Sequence, residues 1–432
     1  MTNNPQILSA EQNRLVAKAA WRILPLLMVA FFISFVDRVN ISFAAFQMNR
    51  QLHIGPEAFG FAGGLFFVSY FLFELPGNLF MEWLGARVWL ARIMIVWGLV
   101  ATGMALVKGP VSFLSMRFLL GAAEAGLFPG VILYLTYWFP RARRAQFISW
   151  FTLAIPLSGF LGSPISAALA QLPPLLGLAS WQWLYIFEGT PAVLLGLFCL
   201  YWLPDRPSQA RWLTPAERNA YQGVLAGEPV ATSSTHINAS FWHLLINPKI
   251  LALSLVLAGT TAVSGAYAIW LPIIIKSWGW SVTATGWLNA VPFLVGALAM
   301  LLFGYISDKR QERVWLTAIP LLVSTFATFL MLLGGGFASF YILSLFVIGG
   351  IYACKGPAWA IATELLPVSA RAVGIAQINA LSNLVGFFTI SLIGTLRAHK
   401  FSFIEALLPM AILSAISAFT LLWMQRGRKS AA

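Results

Sequence analysis

Charge is what this chain has least of. Of its 432 residues only 9% are Asp, Glu, Lys or Arg, against 59% hydrophobic. That balance excludes a soluble globular domain and fits a chain of many membrane-crossing helices. Cysteine is scarce as well: Cys199 and Cys354 both sit in apolar runs, so no disulfide framework is expected. The four histidines, His53, His236, His243 and His399, fall in or beside predicted loops, and nothing in their placement points to a metal site or a histidine relay. No His-Glu-x-x-His, Gly-x-Ser-x-Gly, phosphate loop or cysteine–histidine cluster occurs, so the sequence predicts no enzyme, no metal and no cofactor. No cleavable signal peptide is expected either, because the polar stretch Thr2 to Lys18 runs directly into a full-length apolar segment.

What is present is apolar length. A membrane span takes about 20 apolar residues. By that measure the chain holds about twelve, near 22–45, 58–81, 88–107, 112–138, 146–170, 182–203, 248–275, 284–306, 314–334, 339–364, 372–395 and 403–424. One long polar segment, Leu203 to Asn247, separates the sixth from the seventh. The predicted division is a cytoplasmic N-terminal segment (1–21), a six-helix bundle (22–203), a cytoplasmic linker (204–247), a second six-helix bundle (248–424) and a cytoplasmic tail (425–432). The formal net charge of +13 does not indicate nucleic acid, because the basic residues are spread through short loops. With the N-terminus inside, Arg50, Lys108, Lys276, Arg397 and Lys400 fall outside and most of the others inside. This bias places both termini in the cytoplasm.

The two halves repeat. Glu82 and Arg87 in the loop after the second span align with Asp308 and Arg313 after the eighth, at an offset of about 226 residues. Phe139-Pro140 with Arg144 aligns with Leu366-Pro367 and Arg371 at nearly the same offset. Two loop pairs sharing one offset imply an all-α membrane protein made of a duplicated six-helix unit in parallel orientation. Such repeats hold their ligand near the midplane, between the halves.

Ionised groups inside the spans are few. The first contains Ser34-Phe35-Val36-Asp37-Arg38-Val39-Asn40, and the fourth contains Arg117 and Glu124, seven apart and so on one helix face. Counting the rise from opposite membrane faces brings the two sets to similar depth, where they can pair across a helix interface. Gly121, Gly126 and Gly130 allow a neighbouring helix to approach closely. A purely structural ion network is the competing reading. It is the weaker one, since apolar replacements of such networks are often neutral or stabilising.

The loop pattern Glu82, Gly85, Arg87 and its second copy Gly304, Asp308, Lys309, Arg313 resembles the signature of the major facilitator superfamily, Gly-x-Leu-x-Asp-Arg-x-Gly-Arg-Arg. Asn78, Trp83 and Ala86 depart from it. An acid at a helix end beside an arginine can latch one conformation, which makes Glu82, Arg87, Asp308 and Arg313 candidate latch residues. Ordinary loop charge is the alternative. Asp37-Arg38-Val39-Asn40, Arg117 with Glu124, Glu74-Leu75-Pro76-Gly77-Asn78, Trp181-Gln182-Trp183, Tyr352-Ala353-Cys354-Lys355-Gly356-Pro357 and Asn379-Ala380-Leu381-Ser382-Asn383 are similar to the anion:cation symporter family within that superfamily. The resemblance covers nearly the whole chain.

It implies that Asp37 and Glu124 carry proton coupling, that Arg38 holds a substrate carboxylate, that Arg117 pairs with the acids and that Tyr70 lines the pocket. Lys355 is either a second carboxylate site, a partner for Glu364 or a conformational lock. Asn379 and Asn383, one turn apart, bond either a ligand or a neighbouring helix. Trp270 and Trp359 are candidate cavity walls, whereas Glu74 and Glu188 read as structural acids. Phe35 stands where the sugar-acid branch of the family often has tyrosine, which shifts the expectation toward an aromatic or dicarboxylic acid. The expected function is proton-coupled uptake of a small organic carboxylate by alternating access. The expected protein is a monomer in a bacterial inner membrane, driven by the proton gradient without a cofactor. An organic-anion exchanger or exporter of the same fold is the alternative.

Overall fold

The computed structural model describes residues 9–225, 247–366 and 371–429, which are helical apart from short connections. The first half contains α1 (Ala10–Val39), α2 (Ile41–Gln51), α3 (Pro56–Leu84), α4 (Ala86–Gly103), α5 (Pro110–Glu124), α6 (Leu127–Trp138), α7 (Arg141–Thr152), α8 (Ala154–Leu169) and α9 (Ser180–Trp202). A short helix, α10 (Pro215–Leu225), follows. The second half contains α11 (Pro248–Ser277), α12 (Val282–Arg310), α13 (Trp315–Met331), α14 (Gly336–Ala353), α15 (Lys355–Leu365), α16 (Arg371–Ala398), α17 (Phe403–Ala406) and α18 (Leu408–Lys429). Among the described residues, eleven stretches are long and apolar enough to cross a membrane. The run expected near 314–334 is α13, apolar but only 17 residues long.

Several runs that read as single spans are irregular part-way, at Asn40, Leu153 and Cys354, where the backbone stays right-handed helical, and the run through Gly126 is cut into two helices. Gly126 adopts φ 90°, in the left-handed region, where a side chain would clash with the backbone. The break there ends α5 at Glu124. α1 begins earlier than the apolar run, because Ser9 and Gln12 form a reciprocal capping box at its start.

One core lies within the first half, and a second is shared between the halves. In the first, Phe31 stacks on Phe151 at 4.3 Å, and Trp97 and Trp138 are fully buried. The two halves meet along two seams, α3 against α16 and α8 against α12. The seams close on glycine. A Cβ at Gly394 would sit 2.6 Å from the Pro56 carbonyl oxygen, and one at Gly159 would sit 2.3 Å from the Phe293 ring. Ser42 Oγ donates to the Ile269 carbonyl at 2.6 Å, and Asn289 Nδ2 donates to Ser163 Oγ at 2.7 Å. Close packing with few apolar options is how helices associate in a solvent that gives no hydrophobic drive.

The first part of the expected linker is bound to the first half. Tyr134 donates to the Pro204 carbonyl at 2.7 Å, Tyr221 donates to the Trp138 carbonyl at 2.7 Å, and Trp212 stacks on Trp138 at 5.7 Å. Lys18 Nζ reaches Glu217 at 2.7 Å. Residues 226–246 lie outside the described residues.

Candidate functional site

A cavity of about 600 Å³ lies between the halves. Arg38, Tyr70 and Arg117 line it from the first half; Ser264, Lys355 and Asn383 line it from the second. It continues past Ser149 and Thr152 to Asp308, Arg313 and Glu364, at the end of the bundle that carries α10. The opposite end is closed by the glycine contacts of the α3–α16 and α8–α12 seams. The conformation is therefore open at one end only, and the charged residues sit at the head of the opening.

Arg38 and Glu124 form the central pair. Arg38 donates to Glu124 Oε1 through Nε at 2.8 Å and Nη2 at 2.5 Å. Ser34, one turn before Arg38, donates to the same oxygen. Glu124 Oε2 is buried with no partner among the described residues. The guanidinium also lies over the rings of Phe35 at 4.5 Å, Phe66 at 5.1 Å and Tyr70 at 5.2 Å. Aromatic faces attract the cation, so Phe35 holds Arg38 by its ring without a hydroxyl. Arg38 touches the cavity, and Glu124 lies behind it with no exposed surface.

Asp37 turns the other way. Successive helical residues point roughly 100° apart, and Asp37 accepts from Trp97 Nε1 at 2.7 Å and from Asn40 Nδ2 at 3.4 Å. It is buried between α1 and α4 and is not among the cavity residues.

Arg117 departs from expectation. It forms no ion pair with Asp37 or Glu124: its Nε donates to the Ala62 carbonyl at 3.4 Å, Phe66 lies 5.3 Å from it, and its Nη1 is buried without a partner among the described residues. Seven helical residues span about 10 Å, too far for Arg117 to reach Glu124 along their shared face.

In the second half, Lys355 opens α15, donates to Ser264 Oγ at 3.2 Å and lies 4.3 Å from the Tyr352 ring centroid. It has no carboxylate partner among the described residues. Glu364, the acid considered for it, pairs instead with Arg313 at 3.4 Å. Asn379 Nδ2 donates to Glu74 Oε1 at 2.9 Å, linking α16 to α3, and Asn379 and Asn383 both line the cavity. Trp359 lines it as well. Trp270 does not: it is buried at the closed end, packed on Phe59 at 5.4 Å and Phe403 at 6.4 Å.

Of the latch candidates, Arg313 joins Asp308 at 2.7 Å as well as Glu364, so it ties the end of α12 to α15. Arg87 faces Asp205, which also caps the start of α4 by accepting from the Arg87 amide at 2.8 Å. The Glu82 side chain lies outside the described residues. Sequence reading missed Ser34, Trp97, Ser264 and the Glu74–Asn379 link. Only Ser34 had a readable signal, standing four residues before Arg38 on the same face.

Comparison with known proteins agrees with this architecture. The sequence pattern of the Major Facilitator Superfamily matches residues 27–390. The chain belongs to the Major Facilitator Superfamily. It is 43% identical over 422 residues to a protein of Agrobacterium vitis described as "Putative tartrate transporter", with 97% of this chain and 93% of that one covered. It is 32% identical to a "Quinolone resistance transporter" of Acinetobacter baumannii, over 89% of this chain and 88% of the relative. The crystal structure of a D-xylose-proton symporter superposes with a TM-score of 0.75 at 15% identity, covering 93% of this chain and 97% of that one. This facilitator-superfamily chain is accordingly a multi-pass membrane transporter of the secondary type, and not an enzyme.

Proposed function

We propose that the protein is a proton-coupled symporter that imports a small organic dicarboxylate across a bacterial inner membrane, with both termini cytoplasmic and no cofactor. The observation that carries this reading is the Arg38–Glu124 pair at the head of the cavity, flanked by two cations without acids. Arg117 and Lys355 face one cavity from opposite halves, and neither meets a carboxylate among the described residues. Unpaired buried cations are costly in a membrane interior. A dianion bridging the halves would relieve both, and the similarity to a protein named for tartrate, a dicarboxylate, agrees with this.

Coupling follows from competition for Arg38. A substrate carboxylate that draws on Arg38 weakens its hold on Glu124, and a proton on Glu124 then replaces the lost partner. The energetics require such an ion: each negative charge carried into an inside-negative cell costs about 2.3 kcal/mol per 100 mV. Glu124 is the proton carrier, and Asp37, fully hydrogen-bonded off the cavity, anchors α1 against α4. Tyr70, Asn383 and Trp359 shape the pocket. Arg313 with Asp308 and Glu364 latches the inner end of the second half, and Arg87 with Asp205 braces the first.

The test is uptake by proteoliposomes with and without a pH gradient, screening tartrate, phthalate, 4-hydroxyphenylacetate and aldonates. Gradient-dependent accumulation of a dicarboxylate is expected, weakened in Glu124→Gln while substrate exchange persists. Accumulation indifferent to the gradient would refute symport. The similarity to a quinolone resistance transporter favours export as the second reading, and efflux of a cationic or zwitterionic drug against its gradient would establish it.

A further inference from the structure

Glu74 reads from sequence as a structural acid, and its surroundings say otherwise. It is buried on α3, at the seam between the halves. Its Oε1 accepts from Asn379 Nδ2 of the opposite half at 2.9 Å, and its Oε2 is buried with no partner among the described residues. Among the described residues, the neighbouring elements supply no cation of its own. α16 presents a neutral amide. α1 presents Arg38, already bound by Glu124 of α5. Tyr70, one turn earlier on α3, is the remaining titratable neighbour.

We propose that Glu74 is a second proton-carrying carboxylate of the transport cycle, a clasp between the two halves that is loaded together with Glu124. This rests on the symport reading above. The geometry gives three reasons. An ionised carboxylate here leaves one oxygen unsatisfied in a buried site, which is expensive, whereas a proton on Oε2 removes the charge and leaves Oε1 accepting from Asn379. Glu74 and Glu124 both feel the charge of Arg38. A substrate carboxylate that neutralises Arg38 thus weakens the support of both acids at once, and each takes a proton. Finally, a dianion carries two charges inward, and two protons balance them, so the imported complex crosses without net charge. Asn379 reports the state of Glu74 to the second half, because their hydrogen bond weakens when the acceptor loses its charge.

The experiment is a proton count on purified full-length protein. Tartrate or phthalate, whichever accumulates in the uptake screen, is added to weakly buffered samples and proton uptake is followed with a pH indicator, then checked in proteoliposomes clamped at zero potential. Glu74→Gln should take up one proton fewer than wild type, and at a pH difference of one unit its equilibrium accumulation should fall about tenfold. Glu124→Gln is the independent arm if Gln at 74 fails to fold: it should still draw one proton on adding substrate. A wild-type count in active Glu74→Gln, or no residual uptake in Glu124→Gln, overturns the proposal. Absence of uptake in the wild type would instead refute proton coupling itself.

Discussion

Adding a single methyl group at Gly394 should pull the transporter away from the state described above. A Cβ there would lie 2.6 Å from the Pro56 carbonyl oxygen, 2.9 Å from Gly60 Cα and 3.2 Å from Gly60 N. All three are backbone atoms of α3, so no side chain can swing aside. Real Cβ contacts are close to 3.4 Å or longer, and the helices must separate by several tenths of an ångström. Overpacking of this kind costs about 1–3 kcal/mol. The cost falls on the conformation in which the ends of α3 and α16 touch, and alternating access parts them in the opposite one. Gly394→Ala should therefore move the equilibrium roughly 5- to 150-fold toward opening at the sealed end. The assay is labelling of Ala268→Cys, on the cavity wall, by an impermeant maleimide applied from outside to right-side-out vesicles. The native cysteines, Cys199 and Cys354, are buried and give little background. Labelling should accelerate by that factor. An unchanged rate in a variant that folds and inserts normally would refute the reasoning, because the seal would then not be the contact that opens.

Other substitutions probe single contacts. Trp97→Phe removes the donor to Asp37 and leaves a buried carboxyl oxygen unsatisfied, which should destabilise the solubilised protein by about 1–3 kcal/mol; thermal unfolding measures this, and Asp37→Asn added to it should recover part of the loss. Lys355→Met should weaken dicarboxylate binding roughly 10- to 100-fold while leaving a monocarboxylate analogue little affected, if the lysine meets the second carboxylate; calorimetric titration with both ligands separates the two. The hydrogen bond from Lys18 holds the Glu217 carboxyl below its ordinary range. A depressed acid lends its support above the unfolded-state value and loses it as pH falls through the folded one. α10 should thus loosen from α1 only at acidic pH, seen as rising amide exchange in 215–225, and Glu217→Gln should flatten that dependence.

The helices were legible because the membrane imposes a length on them, and the loop repeats disclosed the duplication. The meeting of Arg38 and Glu124 followed from counting rise along α1 and α5. Direction around each helix was not legible. Asp37 and Arg38 are neighbours in sequence, yet the turn of the helix sends one to Trp97 and the other to the cavity. Arg117 shares a face with Glu124 but stands too far along it, and its surroundings depend on how α3 packs. Trp270 and Trp359 are alike on paper, yet Trp270 packs on Phe59 and Phe403 at the closed end while Trp359 lines the cavity. The Glu74–Asn379 contact joins residues 305 positions apart, and only tertiary structure brings them together.

The irregular points at Asn40, Gly126 and Cys354 fall beside Arg38, Glu124 and Lys355 respectively. At Asn40 and Cys354 the chain keeps right-handed helical angles, whereas Gly126 leaves them at φ 90°. α5 and α6 are thus two rods joined next to Glu124. A change of charge on Glu124 can alter the angle between the two rods while each keeps its packing on its own neighbours. The first half need not move as a wholly rigid block.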